Sequence, residues 1–210
     1  MSRLLIIGSG HCGRETFEWA KDIQERQKRW DAIGFLNDDI HALDKYHLSD
    51  LMVGTIKDHI PAEGEEFVCA VADPANKMML CNSFKARGAR FVNVIHPSVI
   101  IADYSVIGEG VIICPQVIIC PNSNVGDHVL VDSFSVVGHD VTVEKGCSIS
   151  DHCDLMGHVY LEEEAFLGSG ARIIPWMRVG RGAKVGVGSI VIRNVEANTS
   201  VFGNPARRVE

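Results

Sequence analysis

From residue 101 to residue 148 the chain reads IADYSV, IGEGVI, ICPQVI, ICPNSN, VGDHVL, VDSFSV, VGHDVT and VEKGCS in blocks of six. Each block opens with Ile or Val, and an aliphatic residue recurs at every sixth position until Val191, sixteen times in all. The residue four places after each opening is mostly small or β-branched, and only Met177 is large. Neither the 3.6-residue period of a helix nor plain alternation explains this pattern, so it predicts a parallel β-helix.

In such a β-helix three blocks close one triangular coil of 18 residues, and sixteen blocks stack into about five coils. The aliphatic and small positions then fill the interior of a narrow prism. The period alone does not decide the handedness of the coil. Residues 18 apart stack in neighbouring coils at about 4.8 Å, so we expect Asp140 to contact His158. The corner histidines His128, His152 and His158 are all interpreted as surface residues rather than catalytic ones.

A different pattern precedes the repeat. A short apolar strand at residues 4–7 leads into Gly8-Ser9-Gly10-His11-Cys12-Gly13, and residues 14–29 have the pattern of a helix. A strand, GxGxxG and a helix in this order favour a phosphate at the helix N-terminus. Further strands are predicted at 32–36, 67–72 and 91–95, with a helix at 74–86. The second strand ends at Asn37 and Asp38, where a group that reads a ribose or base is expected.

The dipeptide His96-Pro97 marks the predicted domain boundary, because proline restricts its predecessor to extended backbone. We therefore expect a Rossmann-like α/β domain at residues 1–96 and a β-helix domain with a C-terminal segment at 97–210. About 96 residues supply one mononucleotide-binding half rather than the two of a dinucleotide fold. A nucleotide or nucleotide sugar is therefore the expected ligand of the first domain.

Composition narrows the class of protein further. Apolar residues make up 46% and charged residues 22% of the 210 residues, which is typical of a folded protein. The net charge of −7 argues against nucleic acid or an anionic membrane as a partner. Seven cysteines without a CxxC pair, and no apolar run of membrane or signal-peptide length, favour reduced thiols in the cytoplasm. Residues 165–210 hold seven basic side chains against two acidic ones, which suits a compact anionic ligand.

The joint pattern resembles a known family. It combines Ser9-Gly10-His11 in a small Rossmann-like domain, the junction His96-Pro97-Ser98, and hexapeptide repeats that end in Gly203-Asn204-Pro205-Ala206-Arg207. This is similar to the sugar O- and N-acetyltransferases related to sialic acid O-acetyltransferase and to the enzymes that acetylate UDP- or GDP-linked 4-amino sugars. The resemblance implies a left-handed β-helix, a homotrimer, acetyl-CoA in the groove between neighbouring β-helices, and a nucleotide sugar on the N-terminal domain.

The resemblance also implies roles for individual residues. His139, in Val137-Gly138-His139-Asp140, is in the position of the family's catalytic base, with Asp140 as the acid that follows it. The implied acetyl-CoA contacts are Gly168, Ser169, Gly186 and Val187, with Ser148 where a relative has a cofactor-touching histidine. Arg207, in the basic C-terminal region, is expected to meet the CoA phosphates by charge-assisted hydrogen bonds. The implied substrate contacts are Ser9, Gly10, His11, Asn37, Asp38 and Asp73. No metal is expected, because the histidine spacings do not match those of zinc enzymes built on the same repeat.

We therefore expect an acetyltransferase that moves an acetyl group from acetyl-CoA to the amino group of a nucleotide-linked 4-amino-4,6-dideoxy sugar. Two alternatives stay open at this point. One is an O-acetyltransferase acting on sialic acid or another sugar hydroxyl, and the other is a non-catalytic trimeric nucleotide-binding scaffold. The base, uridine or guanosine, is not decided by the sequence.

Overall fold

The computed structural model describes residues 2–209. The elements of the N-terminal part are β1 (Arg3–Ile7), α1 (His11–Gln27), β2 (Ala32–Leu36), β3 (Met52–Gly54), β4 (Glu65–Cys69), α2 (Pro74–Ala86) and β5 (Arg90–Phe91), with 3-10 turns at Asp44–Tyr46 and Ser49–Leu51. The strands form one parallel sheet in the order β3-β2-β1-β4-β5, with the two helices packed on it. The strand order reverses between β1 and β4, and ligands of such sheets bind at the carboxyl ends of the strands beside this point.

The GxGxxG segment connects β1 to α1 by a tight turn. The helix begins at His11 rather than at the predicted residue 14, so the last glycine of the motif is already helical. A Cβ on Gly13 would collide with the carbonyl oxygen of Gly8, so only glycine allows the helix to pack this close to the strand. The N-cap of α1 is Gly10, and the first turn contains no acidic residue. The positive end of the helix dipole is therefore not neutralised by the chain itself.

Residues 94–209 form the β-helix, which has three faces of parallel two-residue strands. The first face contains Val94–Ile95, Ile112–Ile113, Leu130–Val131, Ser148–Ile149, Phe166–Leu167, Lys184–Val185 and Ser200–Phe202, with Arg207–Val209 added antiparallel. The second face contains Ile100–Ile101, Ile118–Ile119, Val136–Val137, Asp154–Leu155, Arg172–Ile173 and Ile190–Val191. The third face contains Val106–Ile107, Asn124–Val125, Thr142–Val143, Tyr160–Leu161 and Arg178–Val179.

Aliphatic and small residues of the repeat form one continuous core inside this prism. Partners in the parallel ladders lie 18 residues apart from Val94 to Val191, as in Leu130 with Ser148, so the predicted coil length is confirmed. The last coil is shorter, since Lys184 pairs with Ser200. The small inward positions include buried serines and cysteines whose side chains donate to backbone carbonyls 15 residues further on. Examples are Ser135 to Ser150 at 2.9 Å and Cys153 to Gly168 at 3.3 Å. Polar groups in the core are thereby satisfied.

The two parts of the chain meet along the first face. The predicted strand at 91–95 is divided, since β5 pairs with β4 whereas Val94–Ile95 starts the β-helix. Outward-facing Ile112 and Leu130 of the first face are buried in one cluster with α1. Within residues 2–209 the structure has no helix whose length and hydropathy would let it cross a bilayer.

Candidate active site

His139 and Asp140 lie at the corner between the second and third faces, directly after the strand Val136–Val137. The Nδ1 atom of His139 is 2.8 Å from Oδ2 of Asp140. Both side chains face solvent, with 61% and 39% of their surface exposed. The structure therefore brings the predicted base and its acidic neighbour together in one hydrogen-bonded pair on an open surface.

The charge state of Asp140 determines which nitrogen of His139 is free. The hydrogen bond from His139, with smaller contributions from His158 and Asn122, holds the pKa of Asp140 below its ordinary value. An ionised carboxylate only accepts hydrogen bonds, so Nδ1 of His139 carries the hydrogen. In the neutral imidazole Nε2 then keeps its lone pair and can take a proton from a substrate.

His158 stands one coil beyond Asp140, as the 18-residue spacing predicts. Its Nε2 is 3.8 Å from Oδ2 of Asp140, so the expected contact is confirmed. Its ring meets that of His139 edge to face, with centroids 5.3 Å apart and planes at 89°. Trp176, another 18 residues on, stacks on His158 with centroids 3.8 Å apart. The sequence interpretation did not give Trp176 this place, although the same spacing could have found it.

Gly157 forms the surface beneath the His139 ring. A Cβ at this position would overlap Cε1 and Nε2 of His139. The backbone carbonyl of Gly157 accepts a hydrogen bond from the Trp176 N–H at 3.2 Å. The imidazole of His139 therefore packs directly against the backbone of a glycine.

A crevice of about 490 Å³ opens at the carboxyl ends of β1 and β2. Three predicted substrate residues line it, namely Ser9, Gly10 and Asn37. The Asn37 Nδ2 group donates to Ser9 Oγ at 2.6 Å. A pocket of this volume is in the range that holds a small organic ligand.

The crevice also contains groups that the sequence interpretation missed. The Arg14 guanidinium lies 3.8 Å from the centroid of the Tyr46 ring and donates to the Ser9 carbonyl oxygen at 3.1 Å. Arg14 lies one turn into α1, where a cation can meet an anion held at the helix N-terminus. Arg14 could have been predicted to lie at this site, because it directly follows the GxGxxG motif. Tyr46 could not, because it belongs to a 3-10 turn, which leaves no periodic pattern in the sequence.

The other predicted substrate residues do not line this crevice. His11 is exposed at the start of α1. An Asp38 carboxylate oxygen accepts from the Lys57 N–H at 3.0 Å. Asp73 caps α2 by accepting from the Asn76 N–H at 2.9 Å, and it borders a smaller crevice of about 210 Å³ with Phe166 and Lys184. The structure therefore divides the predicted substrate residues between two crevices and the surface.

The predicted cofactor residues lie at the corner between the first and second faces. Gly168 and Ser169 belong to one coil and Gly186 and Val187 to the next, and the Gly188 N–H donates to the Ser169 carbonyl at 2.8 Å. Ser169 and Val187 are exposed. Their position on an open corner leaves this backbone accessible to an extended ligand.

Ser148 differs from this group because the N-terminal domain covers it. Its side chain is 2% exposed, and its Oγ accepts a hydrogen bond from Lys77 Nζ at 2.8 Å. The same ammonium donates to the Cys147 carbonyl at 2.9 Å, and burial lowers the pKa of Lys77. Ser148 has no free surface for acetyl-CoA in this chain, so we do not retain it as a cofactor contact.

Arg207 borders a cavity of about 300 Å³ at the C-terminal end of the prism. Arg193 and Arg208 line the same cavity. Arg208 is 3.3 Å from a carboxylate oxygen of Glu196, which also lines it. The structure therefore brings three of the seven basic residues of this region together, and Arg208 is already paired.

The predicted base and the crevice of Ser9, Gly10 and Asn37 lie on different sides of one chain. The N-terminal domain packs on the first face, and His139 lies at the corner between the second and third faces. In a triangular prism this corner is opposite the first face. One copy alone therefore does not bring Nε2 of His139 to a ligand in the crevice.

No family model matches the chain. It is 28% identical over 210 residues to GDP-perosamine N-acetyltransferase of Escherichia coli O157:H7, an alignment that covers 98% of this chain and 95% of that protein. Among solved structures, PerB from Caulobacter crescentus in complex with CoA and GDP-perosamine has a TM-score of 0.87 at 26% identity, over 100% of this chain and 98% of that one.

A third likeness concerns the fold. The acetyltransferase domain of PglB from Neisseria gonorrhoeae FA1090 in complex with acetyl coenzyme A has a TM-score of 0.87 at 23% identity, over 99% of this chain and 98% of that one. The predicted fold class, a left-handed β-helix preceded by an α/β domain, is confirmed. The expected resemblance to hexapeptide-repeat sugar N-acetyltransferases is confirmed along nearly the whole chain, and so is the predicted enzyme class, an acetyl-CoA-dependent acetyltransferase.

Proposed function

We propose that this protein transfers an acetyl group from acetyl-CoA to the amino group of a nucleotide-linked 4-amino-4,6-dideoxy sugar. His139 is the general base, and the site forms between copies in a homotrimer. The observation that carries the proposal is the exposed His139–Asp140 pair, with Nδ1 of His139 2.8 Å from the carboxylate. GDP-perosamine is the first acceptor to test, because it is named in the relative that aligns over nearly the whole chain.

The reaction transfers one proton from the amine to His139 and one proton from His139 to the thiolate of CoA. The amine attacks the thioester carbonyl, the new C–N bond forms, and Nε2 of His139 takes the proton that the nitrogen loses. The C–S bond then breaks, and the protonated imidazole can return the proton to the departing thiolate. Asp140 accepts the hydrogen bond from Nδ1 throughout and stabilises the imidazolium. The products are the N-acetylated sugar nucleotide and CoA.

Acetyl-CoA is the cofactor that the sequence predicts, and the relatives confirm this class of donor. We place it along the corner of Gly168, Ser169, Gly186 and Val187, where backbone amides can pair with the amides of pantetheine. Arg207 is exposed and near the cavity with Arg193, so it can meet a CoA phosphate by a charge-assisted hydrogen bond. Neither placement requires a metal ion.

The acceptor is placed in the crevice of Ser9, Gly10 and Asn37. The N-terminus of α1 has no acidic residue in its first turn, and Arg14 adds a cation beside it. Both features favour a diphosphate. Asp73 borders the neighbouring crevice with Phe166 and Lys184, which has room for a single ring.

The separation of base and crevice on one chain supports the proposed homotrimer. A head-to-tail contact that closes after three copies places the His139 corner of one copy beside the N-terminal domain of the next. Exposed Ile100 and Ile118 on the second face and Val106 on the third offer apolar surface beside this corner. Seven free thiols suit a reducing compartment, and we place the reaction in the cytoplasm.

The test measures thiol release from acetyl-CoA with GDP-perosamine, UDP-linked 4-amino sugars and free sialic acid as acceptors. We expect release with one amino-sugar nucleotide and a loss of at least about 100-fold in the His139→Ala protein. His47→Ala removes another exposed histidine, one that lies outside both crevices, and should keep the wild-type rate. Release only with sialic acid would contradict N-acetylation, and full activity in His139→Ala would contradict the role of the base.

A further inference from the structure

One corner of the prism contains a column of residues that repeat every 18 positions. Asn122, Asp140, His158 and Trp176 all have left-handed backbone, with φ of 61°, 57°, 62° and 68°. Asn, Asp and His are enriched in this conformation, whereas a bulky side chain there is an outlier. Trp176 is the member of this column on the coil beyond His158, and its ring stacks on that of His158.

The imidazole of His158 is held on three sides. One face stacks on Trp176 at 3.8 Å with the planes at 10°, and its edge meets the His139 ring at 5.3 Å. Its Nε2 is 3.8 Å from the Asp140 carboxylate. This distance exceeds a hydrogen bond, so His158 acts on Asp140 through its position and its electrostatic field.

The proposed catalytic pair needs such support because it is exposed. A single hydrogen bond joins His139 to its chain neighbour Asp140, and exposed side chains otherwise exchange rotamers freely. Asn122 lies on the coil below, and its side chain contributes to the lowered pKa of Asp140. His158 lies on the coil above. The carboxylate is therefore confined between two residues of its own column.

We propose that Trp176 and His158 are positioning residues for the His139–Asp140 pair. Trp176 fixes the plane of His158, and His158 limits the movement of Asp140 and of the His139 ring, so that Nε2 of His139 stays directed at the acceptor amine. The backbone of Trp176 also hydrogen-bonds to Gly157, which forms the surface under the same ring. This inference rests on the proposed function, since it takes His139 as the base.

The test compares Trp176→Ala with Trp176→Phe. Loss of the ring should lower kcat by about 10- to 100-fold, because small misplacements of a reacting group have effects of this size. KM for acetyl-CoA and for the amino-sugar nucleotide should stay within about twofold, because Trp176 is not placed at either ligand. Trp176→Phe keeps a stacking ring and should recover at least half of the wild-type kcat. His158→Ala should lose kcat as Trp176→Ala does.

Tyr104 provides a matched control. It belongs to the same column, has φ of 63°, and is 87% exposed, yet it lies two coils from Asp140. Tyr104→Ala removes an exposed aromatic ring at the same backbone conformation, and its kcat should stay within about twofold of wild type. Light scattering on every variant shows whether the assembly is retained.

Three results would overturn the inference while leaving the proposed function in place. They are an unchanged kcat in both Trp176→Ala and His158→Ala, a loss that lies wholly in KM, or a Trp176→Phe protein no better than Trp176→Ala. In each case the wild type is active and His139→Ala is not. A wild type without thiol release on any acceptor, or an active His139→Ala, would instead remove the proposed function and this inference with it.

Discussion

Gly157 is the residue on which the geometry of His139 depends most directly. Its backbone passes beneath the imidazole, and the ring occupies the space that a Cβ would need. Gly157 is not among the residues with positive φ. A substitution there therefore acts through the displaced ring and not through backbone strain.

We predict that Gly157→Ala lowers the rate of thiol release by about 10- to 100-fold, because His139 has to leave its place. The melting temperature should fall by only a few degrees, since the displaced ring can move into solvent. Gly54→Ala is the control, because a Cβ at Gly54 meets only Leu36 at ordinary contact distance. A Gly157→Ala enzyme with wild-type kcat would show that catalysis does not depend on the position of the His139 ring over Gly157.

His128 differs in burial from the equivalent corner residues of the repeat. The repeat places it like His152, but the N-terminal domain covers it, so the expectation of a surface residue was wrong. It is 5% exposed, lies edge-on to Phe91 with centroids 4.7 Å apart, and its Nδ1 has no hydrogen-bond partner among the described residues. Burial lowers the pKa of His128 from its ordinary 6.5.

This shift predicts a loss of stability in mild acid. Below about pH 6.5 the unfolded chain takes up a proton on His128 before the folded chain does, so the free energy of unfolding falls as the pH decreases. We expect the melting temperature to drop by a few degrees more between pH 7.5 and pH 5.5 in the wild type than in His128→Asn. Equal drops in both proteins would rule out a contribution from His128, since all other histidines are common to both.

At the scale of the element, the hexapeptide block is stable because its polar inward residues find backbone partners. Ser135 is fully buried, donates to the Ser150 carbonyl at 2.9 Å and accepts from the Cys153 N–H at 3.0 Å. Both partners lie in the next coil. The side chain therefore connects two coils in the same direction as the strand ladder.

We predict that Ser135→Ala lowers the free energy of unfolding by about 1 to 3 kcal/mol, since it leaves a buried N–H and a buried carbonyl without this partner. Urea denaturation monitored by circular dichroism measures the change. Ser133→Ala alters a more exposed serine of the same block and should stay within about 0.5 kcal/mol of wild type. A loss in Ser135→Ala no larger than in Ser133→Ala would contradict the proposed role of the hydrogen bonds.

The repeat could be predicted from the sequence because every block of six has an aliphatic residue at its first position and mostly a small or β-branched residue four places later. The contact of Asp140 with His158 followed from the same arithmetic. Two features were not predicted, namely the division of the strand at 91–95 and the short edge strand β3. Both depend on which neighbouring strand the segment pairs with, and this is not encoded locally. Ser148 was misjudged for a similar reason, since its outward position is covered by Lys77 from another domain, and no period encodes that contact.

At the scale of the whole molecule, the N-terminal domain is fixed to the first face, and the base lies at the opposite corner. Lys77 contributes to this attachment, because its buried ammonium from α2 binds Ser148 and the Cys147 carbonyl of the β-helix. Movement of the domain toward His139 within one chain would leave these polar groups buried without partners. In the proposed homotrimer no such movement is needed, because each base serves the nucleotide held by a neighbouring copy.

This arrangement predicts complementation between two inactive proteins. His139→Ala lacks the base, and Gly10→Asp places a carboxylate in open space at the N-terminus of α1, where it repels a diphosphate while remaining a good helix cap. In trimers refolded from an equal mixture, about a quarter of the contacts pair an intact His139 corner with an intact N-terminal domain. We expect about a quarter of the wild-type thiol release from the mixture and almost none from either variant alone. A mixture as inactive as its components would mean that base and nucleotide site belong to the same copy.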